Sequence, residues 1–321
     1  MKNRKWFWIC LLFLVFLPLL RAQTEDTEGF TDSTDLEAQI SSRPELKLRL
    51  IETMTFPFLR GEGPLTEGNN IKTIFTAEVS PVSVGGIGEA VWTPVAFFQA
   101  AAGTKAGSGW NIDLFGTEVY GLGVNAPSSS TPRKTEVKEN AFDGLVWSAW
   151  GGGALQFDLA AIIPGDWTHV LFRTYHEARY STYTKAADGE SWFFEGDYGE
   201  NRNGWIYYST YLLGYQMPLS PVLDTVAFMA ELKKNLYNTP GGDYWGDNLG
   251  DWILSGFFNF TLGPRIRTTL AVQLRSWRNH GSSDLENAGM LYYQDRELYG
   301  DYGERRLAFY RAALILTYKL R

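Results

Sequence analysis

The chain has 321 residues, of which 45% are hydrophobic and 15% aromatic, and its formal net charge is −7 at pH 7. An acidic chain of this kind lacks the basic surface that binds phosphate backbones, so nucleic acid is not predicted as a partner. The single cysteine, Cys10, leaves the rest of the chain without disulfides or thiolate metal sites. After residue 22 no apolar run reaches the roughly 18 residues of a spanning helix, so transmembrane helices are not predicted.

Residues 1–22 have the pattern of a cleaved secretory signal peptide. Three cations lie among the first five residues, and an apolar run follows from Trp6 to Leu20. The run has ~15 residues, fewer than the ~20 that span a bilayer, which disfavours the alternative of a retained anchor helix. Cys10 lies inside this run, whereas a lipoprotein cysteine would follow it, so the exported chain is expected to contain no cysteine.

Residues 23–44 are predicted to form a flexible, acidic lead-in. Asp and Glu are scattered there among Ser and Thr, a composition that does not bury a core. Residues 45–321 are predicted to form a single barrel domain, because no linker and no internal repeat divides them.

Apolar and polar residues alternate with a period of two along this domain. In the first run Leu46 and Leu48 share one face, and Lys47 and Arg49 share the other. A helix would not hold this period for so long, so each run is predicted to be a β-strand. Glu52 interrupts the first apolar face, which indicates either a bulge or a membrane boundary. The runs begin near Leu46, Ile71, Ile87, Trp110, Phe142, Ala154, Trp167, Trp205, Val222, Trp252, Arg265 and Arg305.

The clearest alternation lies at the end of the chain. From Ala308 the even positions are apolar and include Tyr310 and Tyr318, whereas the odd positions include Arg311 and Lys319. Eight residues of strand would separate the two tyrosines by roughly 26 Å. An outer-membrane barrel has an outward apolar band of about that height, edged by aromatic girdles. The sequence therefore predicts an aromatic girdle that contains Trp252, Phe260, Tyr310 and Tyr318.

Short and long connections alternate between the runs, strictly so from Trp167 onward. The short ones are Pro81–Gly86, Pro164–Asp166, Met217–Pro221 and Gly263–Pro264. The long ones are Arg60–Asn70, Lys185–Gly204, Tyr237–Gly250 and Asn279–Gly303. Short periplasmic turns and longer extracellular loops are typical of transmembrane barrels. We therefore predict an all-β, antiparallel up-and-down barrel of about 12 strands, with 10–14 allowed and both termini on the turn side. This count requires a turn at Gly151–Gly153; a bend there would give ten strands. The segment from Val124 to Asn140 fits poorly, because it is long yet falls on the short-turn side.

Charged residues on the polar faces are predicted to line the lumen. Glu231 and Lys233 are expected to face the arginines of the run that begins at Arg265. Small barrels fill with side chains and sixteen strands leave an open channel, so twelve strands allow either a closed, salt-bridged lumen or a narrow passage. The candidates are Arg173, Glu177, Arg179, Glu231, Lys233, Arg265, Arg267, Arg275 and Arg311.

No motif predicts an enzyme, a metal site or a cofactor. The chain lacks a metal-binding His-Glu-x-x-His, a phosphate-binding glycine loop and a Gly-x-Ser-x-Gly elbow. His280-Gly281-Ser282 resembles the His-x-Ser arrangement of outer-membrane phospholipase A, a twelve-stranded barrel. That resemblance would imply a rim active site with an asparagine and calcium, but the flanking asparagine-glycine context is missing. We therefore predict that the protein is not an enzyme.

The domain as a whole resembles bacterial outer-membrane β-barrels. The segments Phe56–Phe58, Gly68–Asn70, Ser80–Ser83 and Glu89–Pro94 are similar to barrels of spirochaetes. The resemblance implies an outer-membrane location, membrane lipid around the barrel and insertion by the outer-membrane assembly machinery. The sequence departs from proteobacterial barrels, which end in an aromatic residue, because Tyr318 lies three positions before the last residue.

Four functions compete at this point. The first is a porin-like barrel that passes or binds small solutes. The second is a non-conducting, adhesin-like barrel whose loops Tyr237–Gly250 and Asn279–Gly303 bind a surface partner. The third is a soluble periplasmic β-sandwich, in which the apolar faces would pack on a second sheet. The fourth is the rim phospholipase.

Overall fold

The computed structural model describes residues 29–43, 45–114, 117–127, 135–139, 141–188, 190, 192–195, 201–216, 220, 222–236, 250–278 and 305–321. Twelve long strands form one closed barrel, and five short strands lie outside its wall. The only helical element among these residues is a short 3-10 turn at Leu159–Ala161. No helix of the described part is long and apolar enough to cross a bilayer.

The wall consists of strands that pair with their neighbours in chain order, and the first pairs with the last. All of these pairings are antiparallel, so the predicted all-β up-and-down barrel of about twelve strands is confirmed. Closure leaves the wall no unpaired edge strand. Its strands are β1 (Thr31–Ser41), β2 (Glu45–Pro57), β3 (Asn70–Val79), β4 (Ser83–Val95), β5 (Phe98–Gly109), β10 (Val146–Asp158), β11 (Val170–Tyr183), β13 (Gly204–Gln216), β14 (Leu223–Asn235), β15 (Asp251–Thr261), β16 (Ile266–Arg278) and β17 (Arg305–Lys319).

The five remaining strands are short. Strands β6 (Ile112–Leu114) and β7 (Thr117–Val119) form a hairpin. Strand β8 (Leu122–Pro127) pairs with β9 (Thr135–Glu139) and with β12 (Trp192–Phe194). We call β8, β9, β12 and the following Glu195 the cap. It joins two wall connections, because β8 and β9 lie between β5 and β10 whereas β12 lies between β11 and β13.

The two ends of the barrel differ in their connections. At the terminal end, where β1 begins and β17 ends, residues 58–69, 96–97, 159–169, 217–222 and 262–265 join the strands. At the loop end residues 42–44, 80–82, 110–145, 184–203, 236–250 and 279–304 join them. From residue 164 onward each connection lies at the end that the alternation predicted. Before residue 164 the predicted ends are inverted. Residues 60–70 lie at the terminal end, and the turn after Ser80 lies at the loop end.

Two missed strands and two false ones explain the inversion. β1 lies inside residues 23–44, so the predicted lead-in is wrong for residues 31–41, which pair with both β2 and β17. β5 carries Ala, Gly, Thr and Ser instead of large apolar residues, so its alternation is invisible. Conversely, Gly151–Gly153 lies within β10 and makes no turn. The run at Trp110 supplies no wall strand. Two strands were therefore missed and two were wrongly counted, so the predicted total of twelve is still correct.

A β-bulge in the last strand changes the direction of Tyr310. Gln273 pairs with Arg311, whereas the next residue, Leu274, pairs with Phe309. The extra residue on β17 is Tyr310, which points into the barrel beside Arg311 while Phe309 stays outside. The prediction that Tyr310 belongs to the outer girdle is therefore wrong, because the apolar alternation of this strand is interrupted there.

The outside of the barrel is an apolar band with aromatic residues at both ends. Trp147, Trp205 and Trp252 are second in strands that begin at the loop end, and all three are exposed. Exposed Trp92 and Tyr318 lie near the terminal ends of β4 and β17. Large apolar residues exposed between them fit acyl chains and would be unfavourable in water. They include Leu48, Phe75, Leu155, Phe172, Leu213, Phe228, Phe258, Leu270 and Leu314.

Glu52 marks the terminal-end border of the apolar band near β1. The register of β2 with β1 and β3 is unbroken at Glu52, so no bulge forms there. Thr34 donates a hydrogen bond from Oγ1 to Glu52 Oε2 at 2.6 Å. The carbonyl of Thr34 in turn accepts from the backbone N–H of Leu320, beyond the end of β17. Of the two alternatives in the sequence, the structure favours the membrane boundary.

The lumen and its cap as the candidate functional site

The cross-strand register places most of the predicted charged residues on the inner face of the wall. Tyr175, Thr210, Glu231, Ile253 and Arg275 form one inward row across five strands. Two predictions about this surface need correction. Arg265 lies in the exposed turn before β16 at the terminal end, not in the wall. Strand β15 also separates β14 from β16, so Glu231 and Lys233 do not directly face the arginines of β16.

These inward charges are bonded to close neighbours. Glu231 Oε1 accepts from the Tyr208 hydroxyl at 2.5 Å. Arg275 forms an ion pair with Asp251 on β15, with Nη2 and Oδ2 2.6 Å apart. Arg311 pairs with Glu45 and donates from Nε to Gln273 Oε1 at 2.6 Å. Such pairing compensates the cost of removing charges from water and leaves these groups little attraction for a solute.

The cap is attached to the wall by a cluster that the sequence did not reveal. Glu195 Oε2 lies 2.6 Å from Lys47 Nζ, and Glu195 Oε1 lies 2.7 Å from Lys105 Nζ. Glu78 lies between the two lysines, 2.6 Å from Lys105 Nζ and 3.9 Å from Lys47 Nζ. We call these four residues the clamp. Lys47, Glu78 and Lys105 come from β2, β3 and β5, so the cap carboxylate bridges separate parts of the inner wall.

The clamp is buried and electrically balanced. The side chain of Glu78 is 3% exposed and that of Lys47 is 9% exposed. Arg49 extends the cluster, because it lies 3.5 Å from Glu78 and 2.5 Å from Glu37. Burial alone would raise the pKa of Glu195, but the ammonium groups of Lys105 and Lys47 lower it to about 2. Glu195 is therefore ionised at neutral pH, and three cations face three carboxylates.

A small apolar core also holds the cap in place. Leu122, Val124, Trp192 and Phe194 of the cap pack with Val146 and Tyr183 of the wall. Lys105 Nζ lies 5.4 Å from the centroid of the Phe194 ring. A Cβ atom at Gly107 would lie 2.8 Å from Phe194 Cζ, so this close approach requires glycine in β5. The glycine content that hid β5 in the sequence is thus what admits the cap.

Described residues line two cavities within the barrel. The loop-end cavity, of about 460 Å³, is lined by the clamp lysines, Glu195, Tyr310, Arg311 and residues of the cap. The terminal-end cavity, of about 440 Å³, is lined by Lys72, Glu89, Trp150, Arg173 and Tyr175 among others. Arg179 lines both cavities and therefore lies at the boundary between them.

The boundary residue is firmly held. Arg179 Nε donates to Glu177 Oε1 at 2.7 Å, and its guanidinium lies 4.6 Å from the centroid of the Trp150 ring. Glu177 Oε2 also accepts from the Tyr175 hydroxyl at 2.7 Å. Trp150 Nε1 donates to Glu89 Oε2 at 3.2 Å. These bonds fix the side chains that separate the two cavities.

The terminal-end cavity contains two cations that form no ion pair with a described residue. Its five charged residues are Lys72, Arg173, Arg179, Glu89 and Glu177. Within the described part of the chain, Lys72 and Arg173 have no ion pair, and Arg173 lies only against the Tyr175 ring at 5.6 Å. This cavity therefore has a positive surface that a passing anion would meet.

The inward Tyr310 forms a third cluster at the loop end. Its hydroxyl accepts from Arg43 Nη1 at 3.3 Å. The guanidinium groups of Arg43, Arg275 and Arg311 lie 5.5, 5.7 and 5.1 Å from its ring centroid. The ring thus separates three like charges and attracts each of them, which accounts for its inward direction.

Several predicted features lie outside the described residues. His280-Gly281-Ser282 is one, and the loops Tyr237–Gly250 and Asn279–Gly303 are others except for Gly250. Within the described part no group of three or more metal-ligating side chains occurs. Lys47 and Glu78 alternate with apolar residues, so the inward direction of both was visible in the sequence. Lys105 and Glu195 gave no such signal, because one lies in a glycine-rich strand and the other in a connection.

The sequence matches no protein-family model and no curated protein. Its structure is similar to the KdgM porin in complex with disordered oligogalacturonate, with a TM-score of 0.40, 12% identity, and 90% of this chain and 99% of that chain covered. The NanC porin gives a TM-score of 0.41 at 8% identity, with 89% and 98% covered. The β domain of the Bordetella autotransporter Brka gives 0.41 at 10% identity, with 90% and 98% covered. Likeness at this level carries no information about a solute.

Proposed function

We propose that the protein is a bacterial outer-membrane channel that passes or binds small solutes and that its cap regulates passage. The observation that carries this proposal is the pair of charged cavities inside the barrel, which adjoin at Arg179. A lumen filled by its own side chains would leave no such space. The cap lies at one end of this path and is joined to the wall through ion pairs, which can break without unfolding the wall.

The lengths of the connections support one orientation of the barrel in the membrane. Long connections gather at the loop end, and barrels of this class present long loops to the exterior and short turns to the periplasm. Solutes would then meet the cap before they reach the terminal-end cavity. Export through the signal peptide at residues 1–22 and insertion by the assembly machinery belong to this proposal, with membrane lipid around the apolar band.

The solutes expected to pass are small and preferably anionic. Lys72 and Arg173 give the terminal-end cavity its unneutralised charge, whereas the charges of β16 and β17 near the loop end are paired. Within the terminal-end cavity, an anion would therefore interact chiefly with Lys72 and Arg173. The aromatic rings of Trp150 and Tyr175 beside them provide apolar contact for a solute with a carbon skeleton.

Reconstitution tests this function. Residues 23–321 would be folded into detergent and then into lipid, and unheated and boiled samples compared on a gel. We expect a heat-modifiable band and discrete current steps in a planar bilayer. Vesicle-swelling assays would then rank neutral and anionic solutes by size. A heat-modifiable barrel that passes neither ions nor solutes under any gating condition, including in the Glu195→Gln variant, would refute the channel function.

A further inference from the structure

We propose that Lys47 and Lys105 form a binding site for one carboxylate group of a small solute, and that Glu195 of the cap occupies this site when the channel is closed. The solute would then open the channel by taking the place of Glu195. This inference rests on the proposed channel function and specifies the chemistry that regulates it.

The geometry of the clamp is that of a carboxylate receptor. Each carboxylate oxygen of Glu195 contacts a different lysine. Oε2 lies 2.6 Å from Lys47 Nζ, and Oε1 lies 2.7 Å from Lys105 Nζ. The two ammonium groups therefore match the spacing of one carboxylate. Charge-assisted hydrogen bonds of this length are among the strong polar contacts in proteins. A solute carboxylate would make the same two bonds, whereas an uncharged amide would not.

Wall residues hold the site in place independently of the cap. Glu78 contacts both lysines from β3, and Arg49 with Glu37 lies behind it. Without Glu195 the cluster retains three cations and two carboxylates. The buried site would then carry one uncompensated positive charge, which one monovalent anion restores to balance.

A cavity with room for a small solute lies beside the clamp while the cap is in place. Lys47, Lys105 and Glu195 all line the loop-end cavity of about 460 Å³. A carboxylate that enters this cavity meets both lysines beside the group that it must displace. Because solute and Glu195 compete for the same two ammonium groups, a bound solute must favour the released cap.

The test compares acetate with acetamide, its uncharged analogue, on the full barrel in planar bilayers. Potassium acetate would replace potassium chloride at constant ionic strength, and acetamide would be added to chloride. We expect acetate to raise the open fraction of the wild type about tenfold and acetamide to leave it unchanged. In Glu195→Gln the channel should already be open, so acetate should no longer raise the open fraction.

The control is Asp143→Asn, which breaks an exposed ion pair with Lys185 at the same end of the barrel. It should respond to acetate like the wild type. A second readout needs no current: acetate should raise the unfolding temperature of Glu195→Gln more than that of the wild type, because its site is vacant.

Three results would overturn the inference. They are equal effects of acetate and acetamide on the wild type, an undiminished acetate response in Glu195→Gln, and equal thermal shifts in the two proteins. All three can be obtained from a barrel that conducts, so they are distinct from failure of the channel function itself, which is a barrel without current.

Discussion

The two cavities of the barrel differ in how their charges are compensated. In the loop-end cavity, Glu195 pairs with Lys47 and Lys105, and Glu45 pairs with Arg311. In the terminal-end cavity, Lys72 and Arg173 have no ion pair with any described residue. Paired charges hold parts of a structure together, whereas unpaired charges act on whatever enters. Under the proposed channel function, this difference places closure of the path at the loop end and selection of the solute at the terminal end.

The largest effect is expected from Glu78→Gln. Its carboxylate is 3% exposed and contacts both clamp lysines and Arg49, so the substitution leaves buried cations short of a partner. We expect a loss of about 3 kcal/mol of unfolding free energy, measured by urea titration of the lipid-reconstituted barrel. Asp143→Asn, whose ion pair is exposed, should change it by less than about 1 kcal/mol. Equal effects of the two variants would show that the clamp contributes no more than a surface pair.

Acid should release the cap. The pKa of Glu195 is lowered to about 2 in the folded protein, so its ion pairs stabilise the closed state fully above its ordinary value near 4.5. That stability is lost as the pH falls toward about 2, when the carboxyl is protonated beside Lys47, Lys105 and Glu78. The open fraction of the wild type should therefore rise over this range.

Glu195→Gln is the matched control for acid release, because it has no carboxyl to protonate. Its open fraction should stay constant over the same pH range. A rise of the same size in Glu195→Gln would assign the acid response to another group.

A moderate effect is expected at the terminal end. Lys72→Gln combined with Arg173→Gln removes the two unpaired cations of that cavity. The anion-to-cation permeability ratio, obtained from reversal potentials in a salt gradient, should fall severalfold. The control is Asp251→Asn with Arg275→Gln, which removes one paired charge of each sign. If this neutral exchange changed the ratio as much, the unpaired cations would not be the selecting groups.

The smallest effect is expected from Tyr310→Phe. The change removes one hydrogen bond to Arg43 but keeps the ring among three guanidinium groups. We expect a loss of at most about 1 kcal/mol in urea unfolding. Tyr310→Ala should cost more, since it also removes the cation–π contacts. Equal losses for Phe and Ala would mean that the hydroxyl contributes and the ring does not.

The sequence predicted the parts of this fold that face lipid. Every second residue must be apolar wherever a strand touches acyl chains. The strands β2, β14, β15 and β16 were therefore recognisable from period two alone. β1 and β5 were missed for physical reasons. The first begins in a polar, acidic stretch, and the second presents Ala, Thr and Ser on its outer side. Period two also failed at Tyr310, because a one-residue bulge reverses direction without any mark in composition.

The lumen was less predictable than the wall. Arg173, Glu177 and Arg179 were predicted to share a face, and the structure brings them together around one cavity. The clamp was not predictable, because it depends on Glu195, which a connection carries back into the barrel to meet Lys47 and Lys105, 148 and 90 residues earlier in the chain. No local pattern encodes such a contact. The partner of a lumen charge is set by three-dimensional pairing, whereas the direction of a wall residue is set by its position in the strand.

The most direct test of the central claim is the open fraction of the wild type and of Glu195→Gln at neutral pH. Both would be recorded as single channels in the same planar bilayer conditions, after a gel has shown the same heat-modifiable barrel. If the cap closes the path through the clamp, Glu195→Gln should be open much more of the time, with an open conductance equal to that of the wild type. Equal open fractions in the two proteins would contradict the claim that Glu195 holds the channel closed.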